Sequence, residues 1–168
     1  DTSYNGSALV GKWLVEHGFK VGIIAQPEVD VPDDITRLGE PNLFFAISGG
    51  CVDSMVANYT ATKKRRQQDD FTPGGENNKR PDRAVLVYSN MVRRFFKGTT
   101  KKIVISGIES SLRRITHYDY WTNKLRKPIL FDAKADILSY GMGEMSMLQL
   151  ANALKNGEDW KNIKGLCY

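Results

Sequence analysis

An α/β fold with a mostly parallel sheet is predicted by three observations. Short apolar runs rich in β-branched residues alternate with stretches of helical spacing. The runs at 44–48, 102–106 and 137–140 each give way at once to glycine. Small polar or acidic residues follow each turn: Gly49, Gly50, Asp53 and Ser54 after the first, Gly107, Glu109, Ser110 and Ser111 after the second, and Gly141, Gly143, Glu144 and Ser146 after the third. Ligands of open α/β sheets bind outside the carboxyl ends of the strands, so three ends of one style imply one shared crevice, entered from Ser48 onward. Glycine also follows strands for reasons of turn geometry alone, and that reading stands beside the functional one.

The elements follow in order. Leu9, Val10, Trp13 and Leu14 recur at helical spacing within 7–17, and Gly18 is a stop. Residues 20–25 read as the next strand, closed by Gln26-Pro27. Helix, short turn and strand are half of a βαβ unit, so a strand preceding Asp1 is expected. The opening 1–6 is polar. Residues 29–41 are acidic and proline-interrupted, which suits a loop with a short helix near 34–38. The strand at 43–48 comes next, then a helix beginning within 53–58.

From 59 to 80 the character changes to charges, amides and Pro-Gly-Gly. Such a stretch is expected to be a long mobile loop that cannot bury itself, either a solvated surface loop or a flap over the crevice. Pro81 suits the first turn of a helix carrying Ala84, Val85, Tyr88, Met91, Val92, Phe95 and Phe96 on one face, stopped by Gly98. The central strand 102–106 follows. In 115–128 an aromatic group of His117, Tyr118, Tyr120 and Trp121 lies among Arg113, Arg114, Lys124 and Arg126. Residues 129–131 suggest a minor strand or bulge, 136–140 the last strand, and 143–156 a helix ended by Gly157. Residues 158–168 read as a tail.

Length and composition fit one domain with a core of reasonable size: 168 residues, 41% hydrophobic and 26% charged. No apolar run approaches the ~20 residues of a membrane helix. Cys51 and Cys167 lie far apart and form no CxxC pair, which suits free thiols in a reducing, cytoplasmic compartment. The net charge of +5 is mild, and much of it is local, with seven Lys/Arg against four Asp/Glu between Tyr59 and Arg83.

No nucleophile elbow, P-loop or HExxH is present, and Gly141-Met142-Gly143 follows the last strand, not the first. The candidate ligand-binding residues are therefore those of the strand ends and their neighbours: Ser48, Gly49, Asp53, Ser54, Gly107, Glu109, Ser110, Ser111, Arg113, Arg114, His117, Tyr120, Gly141 and Glu144. Arg113 and Arg114 suit a phosphate or carboxylate, or are solvated arginines at a helix start. Glu109 and Glu144 suit a bound hydroxyl, or complement a helix dipole. His117 suits a base, or a packed aromatic cluster. Basic residues with stacking rings also meet the loose recipe for single-stranded nucleic acid.

Longer strings carry a more specific signal. GFKVGIIAQP (18–27), SGGCVDSMVANYTATKKRR (48–66), FTPGG (71–75), KRPDRA (79–84), GIESSLRRITHYDYW (107–121) and DAKADILSYG (132–141) closely resemble the N-terminal region of YgiQ-type radical S-adenosylmethionine proteins. The resemblance covers nearly the whole chain. It implies a flavodoxin-like, cobalamin-binding-like α/β/α domain with a mostly parallel sheet of about five strands. Residues 1–157 would be this domain, and 158–168 would lead to a catalytic barrel in the same polypeptide. The resemblance also implies a four-iron cluster on a CxxxCxxC motif with S-adenosylmethionine as cosubstrate. That motif is absent from this chain, so neither group, and no catalytic or metal-ligating residue, is assigned to this segment. For cobalamin the DxHxxG lower-ligand pattern is absent too. An accessory role on the substrate side, or docking to the barrel, is the leading expectation. A nucleic-acid-binding module using 59–83 and 117–121 is the alternative.

Overall fold

A computed structural model describes residues 5–168. Residues 1–4 of the polar opening, and any strand before them, lie outside the described residues, while 5–6 begin the helix Asn5–Glu16. Three strands form the parallel core of the main sheet: β1 (Phe44–Ser48), β2 (Lys102–Ser106) and β5 (Ile137–Ser139). β1 pairs with β2 in parallel, Phe44 opposite Lys102 through Ser48 opposite Ser106, and β2 pairs with β5. The fourth strand is β6 (Leu166–Cys167), which runs antiparallel to β5. Among the described residues the order β1-β2-β5-β6 therefore makes a mostly parallel sheet of four strands, where about five were expected, with 158–168 returning to close one edge.

β2 is central and β-branched, and Ile103, Val104 and Ile105 are fully buried. Burial on both faces of the sheet is what a run without polar alternation requires. Ile103 and Ile105 face α4 (Ala84–Phe95), meeting Val85, Tyr88, Met91 and Val92. Val104 faces the other way, into a cluster with Ile137, Met147 and Leu150 of α7 (Glu144–Asn156). α1 (Asn5–Glu16) packs beside α7 through Leu14, Leu148 and Ala151. Each fully buried Ile or Leu of these clusters contributes about 1.5–3 kcal/mol over an exposed position.

The sequence reading and the structure part at several elements. Residues 20–25 form no strand: they pair with no other segment among the described residues, and a strand exists only with a ladder partner. Residues 129–131 are not a strand or bulge but belong to a helical turn, α6 (Ile129–Asp132). Pro128 precedes it, and the Ala133 amide closes it onto the Ile129 carbonyl (2.8 Å). The short helix expected near 34–38 is α2 (Pro32–Thr36), with Pro at its first turn. Pro81 lies ahead of its helix, which starts at Ala84. The aromatic stretch forms a hairpin of β3 (His117–Asp119) and β4 (Lys124–Arg126), antiparallel and separate from the main sheet.

The stretch 59–80 does bury part of itself, through polar side chains. Asp69, Thr72, Asn77 and Arg80 are all buried. The Asp69 carboxylate accepts from the Phe71 amide (3.0 Å), the Thr72 hydroxyl (2.6 Å) and Arg80 Nε (3.2 Å). Asn77 Nδ2 donates to the carbonyls of Asn58 (3.2 Å) and Arg66 (2.9 Å). Buried backbone groups need partners, and here amide and carboxylate side chains supply them where no ladder does.

Candidate functional site

The three strand ends do converge on one edge of the sheet. β1 runs into Gly49 and Gly50, and β2 into α5 (Gly107–Leu112). These turns touch so closely that side chains would not fit. A Cβ on Gly107, whose φ is +84°, would lie 2.6 Å from Ser48 Oγ, and one on Gly49 would lie 2.7 Å from Glu109 Oε2. The third end joins through Ser111, whose hydroxyl accepts from the Gly141 amide at 3.3 Å.

Beneath this edge lies a buried polar network. Glu109 is 2% exposed. Its Oε2 accepts from the Ser54 amide (3.0 Å) and its Oε1 from the Val85 amide (3.2 Å). Ser54 Oγ accepts from the Ala84 amide at 3.0 Å. One carboxylate thus sits at the N-termini of both α3 (Ser54–Asn58) and α4, where orphan amides and the helix dipoles favour a negative charge. α4 has no cap of its own, since Arg83 at its N-cap is left-handed with φ +55° and gives no side-chain bond. Asp53 caps α3 through the Met55 amide (2.9 Å) and pairs with Arg113. Burial opposes the Arg113 charge, but the bond it donates to Asp53, the Asp53 charge and that of Glu109 more than offset this and hold the guanidinium firmly protonated.

The candidate residues therefore fall into three groups. Ser48, Gly49, Gly107, Ser111, Arg114, Gly141 and Glu144 border the edge. Arg114 lies over the Tyr140 ring, 5.2 Å from its centroid, and donates to the Ser111 carbonyl at 2.7 Å. Asp53, Ser54, Glu109 and Arg113 belong to the network under it, and Ser110 is buried beside it, its hydroxyl without a partner among the described residues. His117 and Tyr120 sit on the hairpin. His117 Nδ1 lies 3.1 Å from the Ile115 carbonyl, while its Nε2 is buried without a partner among the described residues. His117 helps line a cavity of about 10 Å³ with Arg83, Arg113 and Arg126, room for about one water. A wider recess of about 720 Å³ opens beside α3, between Val52, Val56 and 66–71.

The hairpin docks on the basic loop. Trp121 packs on Tyr59 (centroids 5.1 Å) and on Tyr120 (5.5 Å), and the Tyr120 hydroxyl donates to the Ala61 carbonyl (2.7 Å). Lys63 Nζ lies 4.6 Å from the Tyr120 centroid. Asp119 anchors the hairpin from within, accepting from Thr122, Arg83 (2.8 Å) and Arg126 (3.2 Å). Burial would raise its pKa, but the bonds from Thr122 and Arg83 and the Arg83 charge outweigh it. They hold the carboxyl well below the ordinary carboxylate range.

Sequence reasoning missed Arg80, Asp69, Asp119 and Arg83. Arg80 joins the loop to the edge by donating to the Gly49 carbonyl at 3.1 Å. Alternating charges in 69–83 were visible, but nothing in their spacing says which are buried.

The donor set does not fit an iron–sulfur cluster. The chain has two thiols, Cys51 exposed before α3 and Cys167 in β6, where the cluster motif needs three. Among the described residues no group of three His, Cys, Asp or Glu side chains could hold a metal, and no helix is long and apolar enough to cross a membrane.

Comparison with known proteins gives this architecture a family. A family model described as Radical SAM N-terminal matches residues 1–168. UPF0313 protein FN0734 of Fusobacterium nucleatum is 98% identical over 168 residues, all of this chain and 30% of that protein. A UPF0313 protein of Thermotoga neapolitana is 56% identical over 161 residues, 96% of this chain and 28% of its own length. UPF0313 protein MJ1155 of Methanocaldococcus jannaschii is 54% identical over 159 residues, 95% of this chain and 26% of its own length. The chain thus spans under a third of the curated relatives it matches. No solved structure matches. The chain belongs to the Radical SAM N-terminal family, and it is an N-terminal domain of a radical SAM protein of the UPF0313 kind.

Proposed function

We propose that this domain is the non-catalytic accessory module of a radical S-adenosylmethionine iron–sulfur enzyme. The carboxyl edge of its sheet, in a flavodoxin-like α/β/α arrangement, is the face it presents to the barrel and to the substrate held there. The observation that carries this reading is the contrast between what lies under the edge and what lies on it. The carboxylates of Asp53 and Glu109 and the Arg113 guanidinium are occupied by the protein's own groups, which makes a rigid floor. On the surface above, Ile108 and Leu112 share one side of α5, and Met142 and Met145 flank the start of α7. All four are exposed, Met142 at 85%. The Ser111–Gly141 hydrogen bond holds the two sets together. Clustered exposed apolar side chains mark an interaction surface. Ser48, Arg114 and Glu144 at its border are the polar groups left to contact a substrate.

The test uses the full-length protein, reconstituted anaerobically with iron and sulfide. Leu112→Asp combined with Met142→Asp is expected to keep the cluster spectrum and folding and to lower S-adenosylmethionine cleavage about tenfold or more, the equivalent of about 1.4 kcal/mol of lost interaction. Unchanged cleavage would remove this face from the account. Arg114→Ala, which leaves the Asp53–Arg113 pair intact, tests the polar border separately.

A second reading has its own observation. The basic loop and the aromatic hairpin come together at Tyr59, Lys63, Tyr120 and Trp121, as a single-stranded nucleic-acid platform would require. Binding of single-stranded RNA that falls steeply with salt would favour it, and no binding at low salt would end it.

A further inference from the structure

The recess beside α3 is walled on one side by backbone that the fold leaves unpaired. Gln68 forms an isolated antiparallel bridge with Glu76. The bonds flanking that bridge run from the Asp69 amide to the Gly75 carbonyl (2.9 Å) and from the Asn77 amide to the Gln67 carbonyl (3.1 Å). The backbone of Gln67 and Asp69 therefore faces 75–77. Successive residues of an extended chain turn their N–H and C=O to opposite sides, so those of Gln68 face away from 75–77. Arg66, two residues earlier, shows what lies on that side: its amide donates to the Asn58 carbonyl at the end of α3 (2.8 Å). The N–H and carbonyl of Gln68 have no partner among the described residues. They belong to one wall of the recess of about 720 Å³, whose other wall is Val52, Val56 and Ala57. Val56 is 55% exposed.

The unpaired wall carries opposite charges at its two ends. Arg66 Nε donates to the carbonyls of Val56 (3.3 Å) and Tyr59 (3.2 Å), and its two Nη groups have no partner among the described residues. The Asp70 carboxylate is exposed and likewise without a partner among the described residues.

We propose that this recess binds a protein segment in extended conformation, which adds as a strand along 66–70 and lays an apolar side chain against Val52 and Val56. A donor and an acceptor on one residue, both unpaired and turned the same way, match the N–H and C=O of another main chain, and main-chain pairing of this kind supplies affinity while neighbouring pockets supply specificity. At ~3.3 Å per residue the wall spans about 16 Å, the length of about five peptide residues. The charges select the sequence: an acidic residue meets Arg66, a basic residue meets Asp70, and the apolar residue lies between them. A nucleic-acid strand would set its phosphates against Asp70, which the peptide turns to use. The site is separate from the apolar face proposed above and does not rest on that reading.

The test measures fluorescence anisotropy with the full-length protein and blocked, fluorescein-labelled peptides of about seven residues that alternate Val and Thr. One peptide carries Lys near its N-terminus and Glu near its C-terminus, and the other has the two exchanged, because antiparallel and parallel addition make opposite demands. One of them is expected to bind with a Kd of about 100 μM or tighter. Gln68→Pro removes the unpaired N–H and no bond that the structure makes, and should weaken binding about tenfold or more. Gln68→Thr keeps the N–H and should leave binding within about twofold, since the main chain is what is read. No binding of either peptide at about 1 mM would overturn the proposal. So would equal binding by the Gln68→Pro protein, or a loss with Gln68→Thr as large as with Gln68→Pro.

If Gln68→Pro lowers the urea midpoint, N-methylated peptides decide on the unaltered protein. Methylation of alternate residues on one peptide edge should abolish binding, and methylation on the other edge should leave it. Two methylated peptides that bind alike would refute strand addition. Amide exchange at Gln68 identifies the rival occupants. Protection in the peptide-free protein at every concentration would assign the recess to another segment of the same polypeptide, and protection lost on dilution would assign it to a second copy. Either result overturns the proposal.

Discussion

Glu109 illustrates how a residue that reads as a ligand contact is used by the fold. Its carboxylate accepts from the amides of Ser54 and Val85, which belong to different helices, and it is almost fully buried. Glu109→Gln keeps the shape but turns one acceptor into a donor that faces a backbone N–H. The lost bond and the unpaired amide are expected to cost about 1–3 kcal/mol, read as a lower urea midpoint with unchanged slope. A midpoint within error of the parent would show that the network is not structural. The sequence made Glu109 conspicuous by its place after a strand-end glycine. It did not show the partners, because a backbone amide at position 85 carries no side-chain signature. The same holds for Arg113, whose partner Asp53 lies 60 residues away in the chain.

At the scale of elements, legibility followed the source of stabilisation. β1, β2 and β5 were readable because burial on both faces demands apolar runs, and α4 and α7 because one apolar face recurs every three to four residues. Residues 129–131 were misread because an apolar run of three has no period to measure. The hairpin was missed because His-Tyr-Asp and Lys-Leu-Arg carry no strand pattern and owe their place to Asp119. The stretch 59–80 was read as unable to bury itself because its order comes from single polar contacts of Asn58, Asp69, Asn77 and Arg80, which no periodicity reveals. Asp119 gives this scale its prediction. Its carboxyl is depressed in the folded state, so the stability it contributes is present above the ordinary carboxylate value near 3.9 and is lost as pH falls below it. Urea unfolding from pH 7 to pH 3 should therefore show an acid loss of stability that Asp119→Asn reduces. An identical pH profile in the variant would mean that the ion pairs with Arg83 and Arg126 do not tie the hairpin to α4.

For the whole molecule, the polar groups under the carboxyl edge are committed to the fold, while the edge itself is apolar and open. That division is what the proposed accessory role requires. The measurement that tests this most directly is anaerobic reconstitution of the full-length protein with iron and sulfide. Ultraviolet–visible and electron paramagnetic resonance spectra would be recorded with and without dithionite and S-adenosylmethionine. The account predicts a reducible four-iron cluster that cleaves S-adenosylmethionine, with no cluster ligand contributed by Cys51 or Cys167. A protein without a cluster, or with one inert to S-adenosylmethionine, would contradict the account and bring the basic loop and its aromatic hairpin forward as the functional surface.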